Sequence, residues 1–147
     1  MKRTSMYIIV AEDDIDDRML MQDAFSEIGI YHTNMEYVEN GDELLDRLKH
    51  GKKLPSLIFL DLNMPKMDGR ETLKVLKNSE RFKHIPVIIF STSNDHADIL
   101  SSYQHGGNAY FIKPALYSEL VEVLDTIKAH WFHKALLPIG AWSPLVD

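Results

Sequence analysis

The sequence predicts an α/β fold, a doubly wound sandwich in which five parallel strands in the order 2-1-3-4-5 lie between two layers of helices. Three observations predict it. Short apolar, β-branched runs recur five times, an amphipathic stretch of helical period follows each, and the runs lack the in/out alternation of a sheet that faces water. Strands alternating with helices form βα units with right-handed crossovers, and such units build a sheet covered on both faces.

The first strand is read at Tyr7-Ile8-Ile9-Val10, and Leu20, Ala24 and Ile28 at fourfold spacing mark the face of a first helix with Gly29 as its C-cap. A second strand ends at Glu36-Tyr37-Val38, and Leu44, Leu45 and Leu48 mark a helix stopped near Gly51. Leu57-Ile58-Phe59-Leu60 is the third strand, followed by a helix that starts around Asp68 and carries Leu73 and Leu76. Val87-Ile88-Ile89-Phe90 is the fourth, and its helix carries Ile99, Leu100 and Tyr103 and ends at Gly106-Gly107. The fifth strand is Ala109-Tyr110-Phe111-Ile112, and Leu120, Val123, Leu124, Ile127 and Trp131 mark the last helix. This count fits the flavodoxin-like strand order, whose sites lie at the carboxyl ends of the strands, beside the switch point between strands 1 and 3.

A length of 147 residues suits one domain, and 45% hydrophobic residues supply a core. The formal net charge of −6 argues against a general affinity for nucleic acid, which needs surplus Lys and Arg. There is no cysteine, which excludes disulfides and thiolate metal sites. The apolar run Met6 to Ala11 is far shorter than the roughly 20 residues of a membrane span. It ends in Glu12-Asp13-Asp14 and not in a small-residue cleavage site, so a cytoplasmic protein is expected. Residues 1–133 are expected to form the domain and 134–147 an apolar C-terminal tail. The 33 residues after Pro114 leave no room for an output domain of ~50 residues.

The chemistry gathers at the strand ends. The first strand runs into Glu12-Asp13-Asp14-Ile15-Asp16-Asp17. A helix dipole favours acids in its first turn, which accounts for Asp16 and Asp17 as well as any site does, but Glu12 and Asp13 follow a buried strand directly. Asp61 ends the third strand, too early to cap the helix that begins near Asp68. If strands 1 and 3 are neighbours, Glu12, Asp13 and Asp61 converge. Three crowded carboxylates repel and raise one another's pKa. The remedy expected for an all-oxygen donor set is a hard cation, and Mg²⁺ suits phosphoryl chemistry. Ser91 after strand 4 brings a hydroxyl and Lys113 after strand 5 an ammonium to the same rim. Lys113-Pro114 is also a candidate cis bond.

These residues closely resemble the receiver domains of bacterial two-component response regulators, the CheY-like family, over residues 6 to about 130. The motifs that carry the resemblance are the acidic pair Glu12-Asp13, Asp61-Leu62-Asn63-Met64-Pro65-Lys66-Met67-Asp68-Gly69, the hydroxyl of Ser91, and Lys113-Pro114. The resemblance implies that Asp61 is the phosphoacceptor for a histidine kinase or phosphotransfer protein. It implies that Glu12 and Asp13 hold Mg²⁺ together with Asp61 and the backbone carbonyl of Asn63. Ser91 would be the switch hydroxyl, Tyr110 the switch aromatic, and Lys113 the partner of the phosphoryl group. From its position alone Tyr110 reads as packing. A single-domain regulator is implied, which reshapes its helix 4–strand 5–helix 5 face, dephosphorylates itself, and signals through contacts with a downstream protein. It would be a switch more than an enzyme.

Glu-Asp-Asp-Ile-Asp-Asp-Arg and the segment from Ser91 to Tyr110 are similar to a narrower group, the small single-domain regulators that often serve phytochrome-type histidine kinases. Against the commonest pattern, Glu12 replaces an Asp, Ser91 stands where Thr is also common, and Thr92 is bulkier than the usual Ala or Gly. Leu136, Leu137, Ile139, Trp142, Leu145 and Val146 make the tail apolar, so it is expected to dock, either on its own domain or in a homodimer. A flavin-binding protein of the same fold would need a phosphate cradle where this chain places five carboxylates. A phosphohydrolase of the haloacid dehalogenase type would carry its nucleophile after the first strand.

Overall fold

Residues 6–31 and 35–138 are described by a computed structural model. Its elements follow in chain order β1 (Ile8–Ala11), α1 (Ile15–Glu27), β2 (Met35–Val38), α2 (Gly41–His50), β3 (Leu57–Leu60), α3 (Gly69–Lys77), β4 (Val87–Ser91), α4 (His96–Gln104), β5 (Ala109–Ile112) and α5 (Tyr117–Ile127). A π-helical turn, Lys128–Phe132, prolongs α5. The sheet order is β2-β1-β3-β4-β5 with every neighbouring pair parallel, as the sequence predicts.

Successive strand residues point to opposite faces, and here both faces are apolar. Ile9, Ile58, Leu60, Val87 and Ile89 face Leu44, Leu48, Leu73 and Leu76 of α2 and α3. Ile8, Val10, Phe59, Ile88 and Phe90 face Met21, Phe25, Leu120, Leu124 and Ile127 of α1 and α5. The central strands β1, β3 and β4 are wholly buried, whereas β2 and β5 are mostly half-buried, because each is an edge with a neighbour on one side only.

Two helix faces differ from the expectation. In α1 the buried stripe is Met21, Ala24 and Phe25, while Leu20 is 44% exposed. Met19-Leu20-Met21 is apolar on three successive positions, so spacing alone does not choose the stripe; the bulk of Phe25 does. In α4 only Ser102 is buried, and Leu100 and Tyr103 are each 50% exposed. This helix packs along the edge strand β5, where little sheet remains to cover an apolar stripe.

Both helices end as their glycines predict. At the end of α1 the Ile30 N–H donates to the Phe25 carbonyl at 2.8 Å and the Gly29 N–H to Ser26 at 3.0 Å, with Gly29 at φ +91°. After α4 the same pair of bonds runs from Gly107 to Ser102 and from Gly106 to Tyr103, with Gly106 at φ +100°. These are Schellman closures, which place a left-handed residue just past the helix. No cis peptide bond occurs among the described residues, so Lys113–Pro114 is trans.

Among the described residues no helix is long and apolar enough to cross a membrane. Phe132 is buried and Leu136 is 93% exposed; Ile139, Trp142, Leu145 and Val146 of the expected docking tail lie outside the described residues.

Candidate functional site

Backbone hydrogen bonds carry the strand register one residue past the sheet. The Glu12 N–H donates to the Val38 carbonyl at 2.9 Å, and the Asp61 N–H to Ala11 at 3.1 Å. The Lys113 N–H donates to Ser91 at 2.8 Å. Glu12 and Asp61 therefore emerge side by side at the switch point, as adjacent strands require.

Glu12, Asp13 and Asp61 meet as the sequence predicts: each offers a carboxylate oxygen, and these atoms lie within 4.8 Å of one another. Glu12 is 2% exposed and Asp61 7%, while Asp13 is exposed. The Lys113 ammonium contacts Glu12 Oε1, and lies 3.3 Å from Asp17 Oδ2 and 3.4 Å from Asp61 Oδ2. One positive charge thus faces three carboxylates, and Asp13 is a fourth in the same cluster.

Burial pushes the Glu12 carboxyl up to about 7; nearby Asp61 adds to the rise, while Lys113 and the Asp14 N–H oppose it. Burial also raises the Asp61 carboxyl, against the pull of Lys113 and the Asn63 N–H. For Lys113 burial disfavours the charge, but Glu12, Asp61 and Asp17 together outweigh it and hold the ammonium above its ordinary value. The donor set is all oxygen, two members are buried, and negative charge is in excess. Those features fit a hard divalent cation, which would cancel the repulsion and needs few protein ligands.

The loop after Asp61 is built around one close approach. The Gly69 N–H donates to the Leu62 carbonyl at 2.9 Å, and a Cβ on Gly69 would stand 2.0 Å from the Asp61 carbonyl oxygen and 2.7 Å from Leu62 Cα. Both obstacles are backbone, so no side chain can step aside. Lys66 turns the loop with φ +61°, and Asp68 caps α3 by accepting the Glu71 N–H at 3.0 Å. Gly69→Ala should therefore cost about 2–3 kcal/mol of stability by overpacking. Urea unfolding measures it, and a loss below half of the lower figure would contradict the close approach.

Ser91 is fully buried, and its hydroxyl accepts the Ser93 N–H at 3.3 Å. Tyr110 packs partly into the core, and its hydroxyl donates to the Ser93 carbonyl at 2.8 Å. Ser91 and Tyr110 are thus linked through Ser93, and the Ser91 hydroxyl is itself a hydrogen-bond partner of the Tyr110 side chain. The Asn63 N–H points to Asp61 Oδ1 at 3.4 Å, and Thr92 is exposed.

Sequence reasoning left Asp17 undecided and did not single out Arg70, Ser93 or Asp98. Asp17 sits in the first turn of α1, three residues past the N-cap Asp14, so the helix that starts at the end of β1 carries it beside the pocket. That signal was available. Nothing in the spacing of Arg70 and Asp98 announces their pairing, because they sit on different helices and meet only in the fold.

The pattern is shared. The response regulator receiver domain model matches residues 8–125. The probable methanogenesis regulatory protein FilR2 of Methanothrix harundinacea is 35% identical over 128 residues, covering 84% of this chain and 82% of FilR2. Response regulator Rcp1 of Synechocystis sp. is 31% identical over 136 residues, covering 89% and 92% of the two chains. Rcp1 has also been solved in a Mn²⁺-bound form, with a TM-score of 0.80 at 30% identity and coverage of 90% and 99%. The phosphorylated cyanobacterial phytochrome response regulator RcpA gives a TM-score of 0.85 at 35% identity, covering 92% of this chain and 99% of RcpA.

Proposed function

This chain belongs to the response regulator receiver family, within which it resembles the single-domain regulators Rcp1 and RcpA, and from that premise we propose that Asp61 takes a phosphoryl group from a histidine kinase. The observation that carries the reading is the convergence of Glu12, Asp13 and Asp61 around one point with Lys113 beside them. An Asp61 carboxylate oxygen attacks the phosphorus of a phosphohistidine. The P–O bond forms as the P–N bond breaks, and the imidazole leaves with the electron pair. Lys113 lies 3.4 Å from Asp61 and is placed to pair with the incoming phosphoryl oxygens. Glu12, Asp13, Asp61 and the Asn63 carbonyl would hold Mg²⁺. When bound, the cation neutralises the carboxylates and the charge of the transferring group. Attack by water on the acyl phosphate then returns Asp61 and inorganic phosphate.

The output is a change of shape. A phosphoryl group adds about −1.5 to −2 of charge with new acceptor oxygens, which draws the Ser91 hydroxyl and leaves Tyr110 a new position to fill. The face that responds is α4–β5–α5, where Leu100, Tyr103 and Ile112 are exposed and suited to a downstream protein in the cytoplasm. Incubation with acetyl phosphate and Mg²⁺ should raise the intact mass by one phosphoryl group; an unaltered mass would end this reading.

The kinase side is the mouth of the pocket. Ile15 and Met19 on α1 are 59% and 56% exposed, and they begin two residues after Asp13. Exposed apolar residues beside a reactive carboxylate suit a helical partner that presents its histidine there, and the phytochrome connection of RcpA makes a phytochrome-type kinase the first to test. Ile15→Asp with Met19→Asp should slow transfer from that kinase about tenfold or more, while labelling by acetyl phosphate holds. Equal loss with both donors would mean that the pocket was damaged and not the docking face.

A further inference from the structure

Arg70, on the first turn of α3, reaches across the pocket's outer wall to α4. Its Nε and Nη2 donate to the two oxygens of Asp98, each at 3.0 Å, a two-pronged pairing that fixes both side chains. Its Nη1 donates to the Asn63 side-chain oxygen at 3.3 Å and lies 3.6 Å from Asp68. On the other side, Asp98 Oδ2 accepts the Ser93 hydroxyl at 2.7 Å. Ser93 receives the Tyr110 hydroxyl on its carbonyl and gives its N–H to Ser91. One guanidinium is therefore tied to the loop that follows Asp61 and to the loop that follows β4.

We propose that Arg70 is a positioning residue: braced by Asp98, it holds the Asn63 loop against the Ser91–Ser93 loop, so that cation binding at the carboxylates orders both loops together. The proposal rests on the reading of the carboxylate cluster as a Mg²⁺ site. Neither side chain is a ligand. Their effect passes through Asn63 on one side and Ser93 on the other, as outer partners of a metal site act on its ligands.

Two substitutions separate this from a plain structural role. Arg70→Lys keeps the charge but cannot grip both Asp98 oxygens and Asn63 at once. Asp98→Ala removes the brace from α4 and leaves every pocket carboxylate in place. Calorimetric titration of Mg²⁺ without any phosphodonor should show each variant binding about tenfold more weakly than wild type. The double variant should bind no more weakly than Asp98→Ala alone, since residues of one network are not additive. In wild type, Mg²⁺ should also slow hydrogen exchange at the Ser93, Asp95 and Ala97 amides, whose partners are the Ser91 and Ser93 hydroxyls and the Asp95 carboxylate. In either variant that slowing should vanish. Folded variants with wild-type Mg²⁺ affinity, or with the Mg²⁺-dependent slowing intact, would overturn the clamp and leave the phosphoacceptor reading standing. A wild type that binds no Mg²⁺ would remove the metal site and the clamp with it. If Arg70→Lys does not fold, Asp98→Ala alone decides between these results.

Discussion

Asp61→Asn is expected to abolish phosphorylation completely and, without divalent cation, to make the domain more stable than wild type. The first half follows from chemistry, since an amide oxygen offers no anionic nucleophile. The second follows from the crowding. Asp61 is buried among carboxylates, and burial raises its pKa. Asparagine has the same shape and no charge, and Lys113 keeps Glu12 and Asp17 as partners. Removing one of four like charges should stabilise the metal-free fold by about 1–2 kcal/mol, the usual exchange between a functional site and stability. Saturating Mg²⁺ should narrow or reverse the difference, because wild type then gains a ligand that the variant lacks. Intact mass after acetyl phosphate and urea unfolding with and without Mg²⁺ measure both halves. A variant that is still labelled would move the acceptor to another carboxylate, and a variant less stable without cation would mean that the Asp61 charge is a net support.

Cation binding should weaken steeply with acid. The Glu12 carboxyl titrates near 7 because it is buried, so below that pH it carries a proton that a cation must displace. Between pH 8 and pH 6 the affinity for Mg²⁺ should fall about tenfold from this group alone. The same shift has a second consequence of definite sign. From the ordinary 4.5 up to about 7, the folded protein holds a proton on Glu12 that the unfolded chain has released. Stability without metal should therefore fall as pH rises through that window, the reverse of a carboxylate whose pKa is lowered on folding. Titration calorimetry at the two pH values and thermal unfolding in a metal chelator test the pair. Glu12→Gln should flatten the stability slope; a slope unchanged in that variant would place the proton elsewhere.

The topology and the meeting of Glu12, Asp13, Asp61 and Lys113 were legible because they depend on strand order. Once five βα units are read, the ends of β1 and β3 must be neighbours, and residues directly after them must share a rim. Details set by helix rotation were less legible. Leu20 rather than Met21 appeared to be the core residue, since three adjacent apolar positions fit more than one stripe. Leu100 and Tyr103 mark the fourth helix in the sequence, but a spacing rule does not know that β5 is an edge, and both are half exposed. The pairing of Arg70 with Asp98 was invisible for another reason: it joins side chains 28 residues apart, on two helices whose relative placement no local pattern encodes.

The missing side chain at Gly69 gives the pocket a mechanical bias. With α3 pressed against the peptide of Asp61, that wall is an anvil with no travel left in it. The wall on the side of α4 differs, since Thr92 borders solvent there as the chain turns toward that helix. One missing methyl group thus seats α3 directly on the acid's own peptide, while the turn toward α4 keeps an open flank.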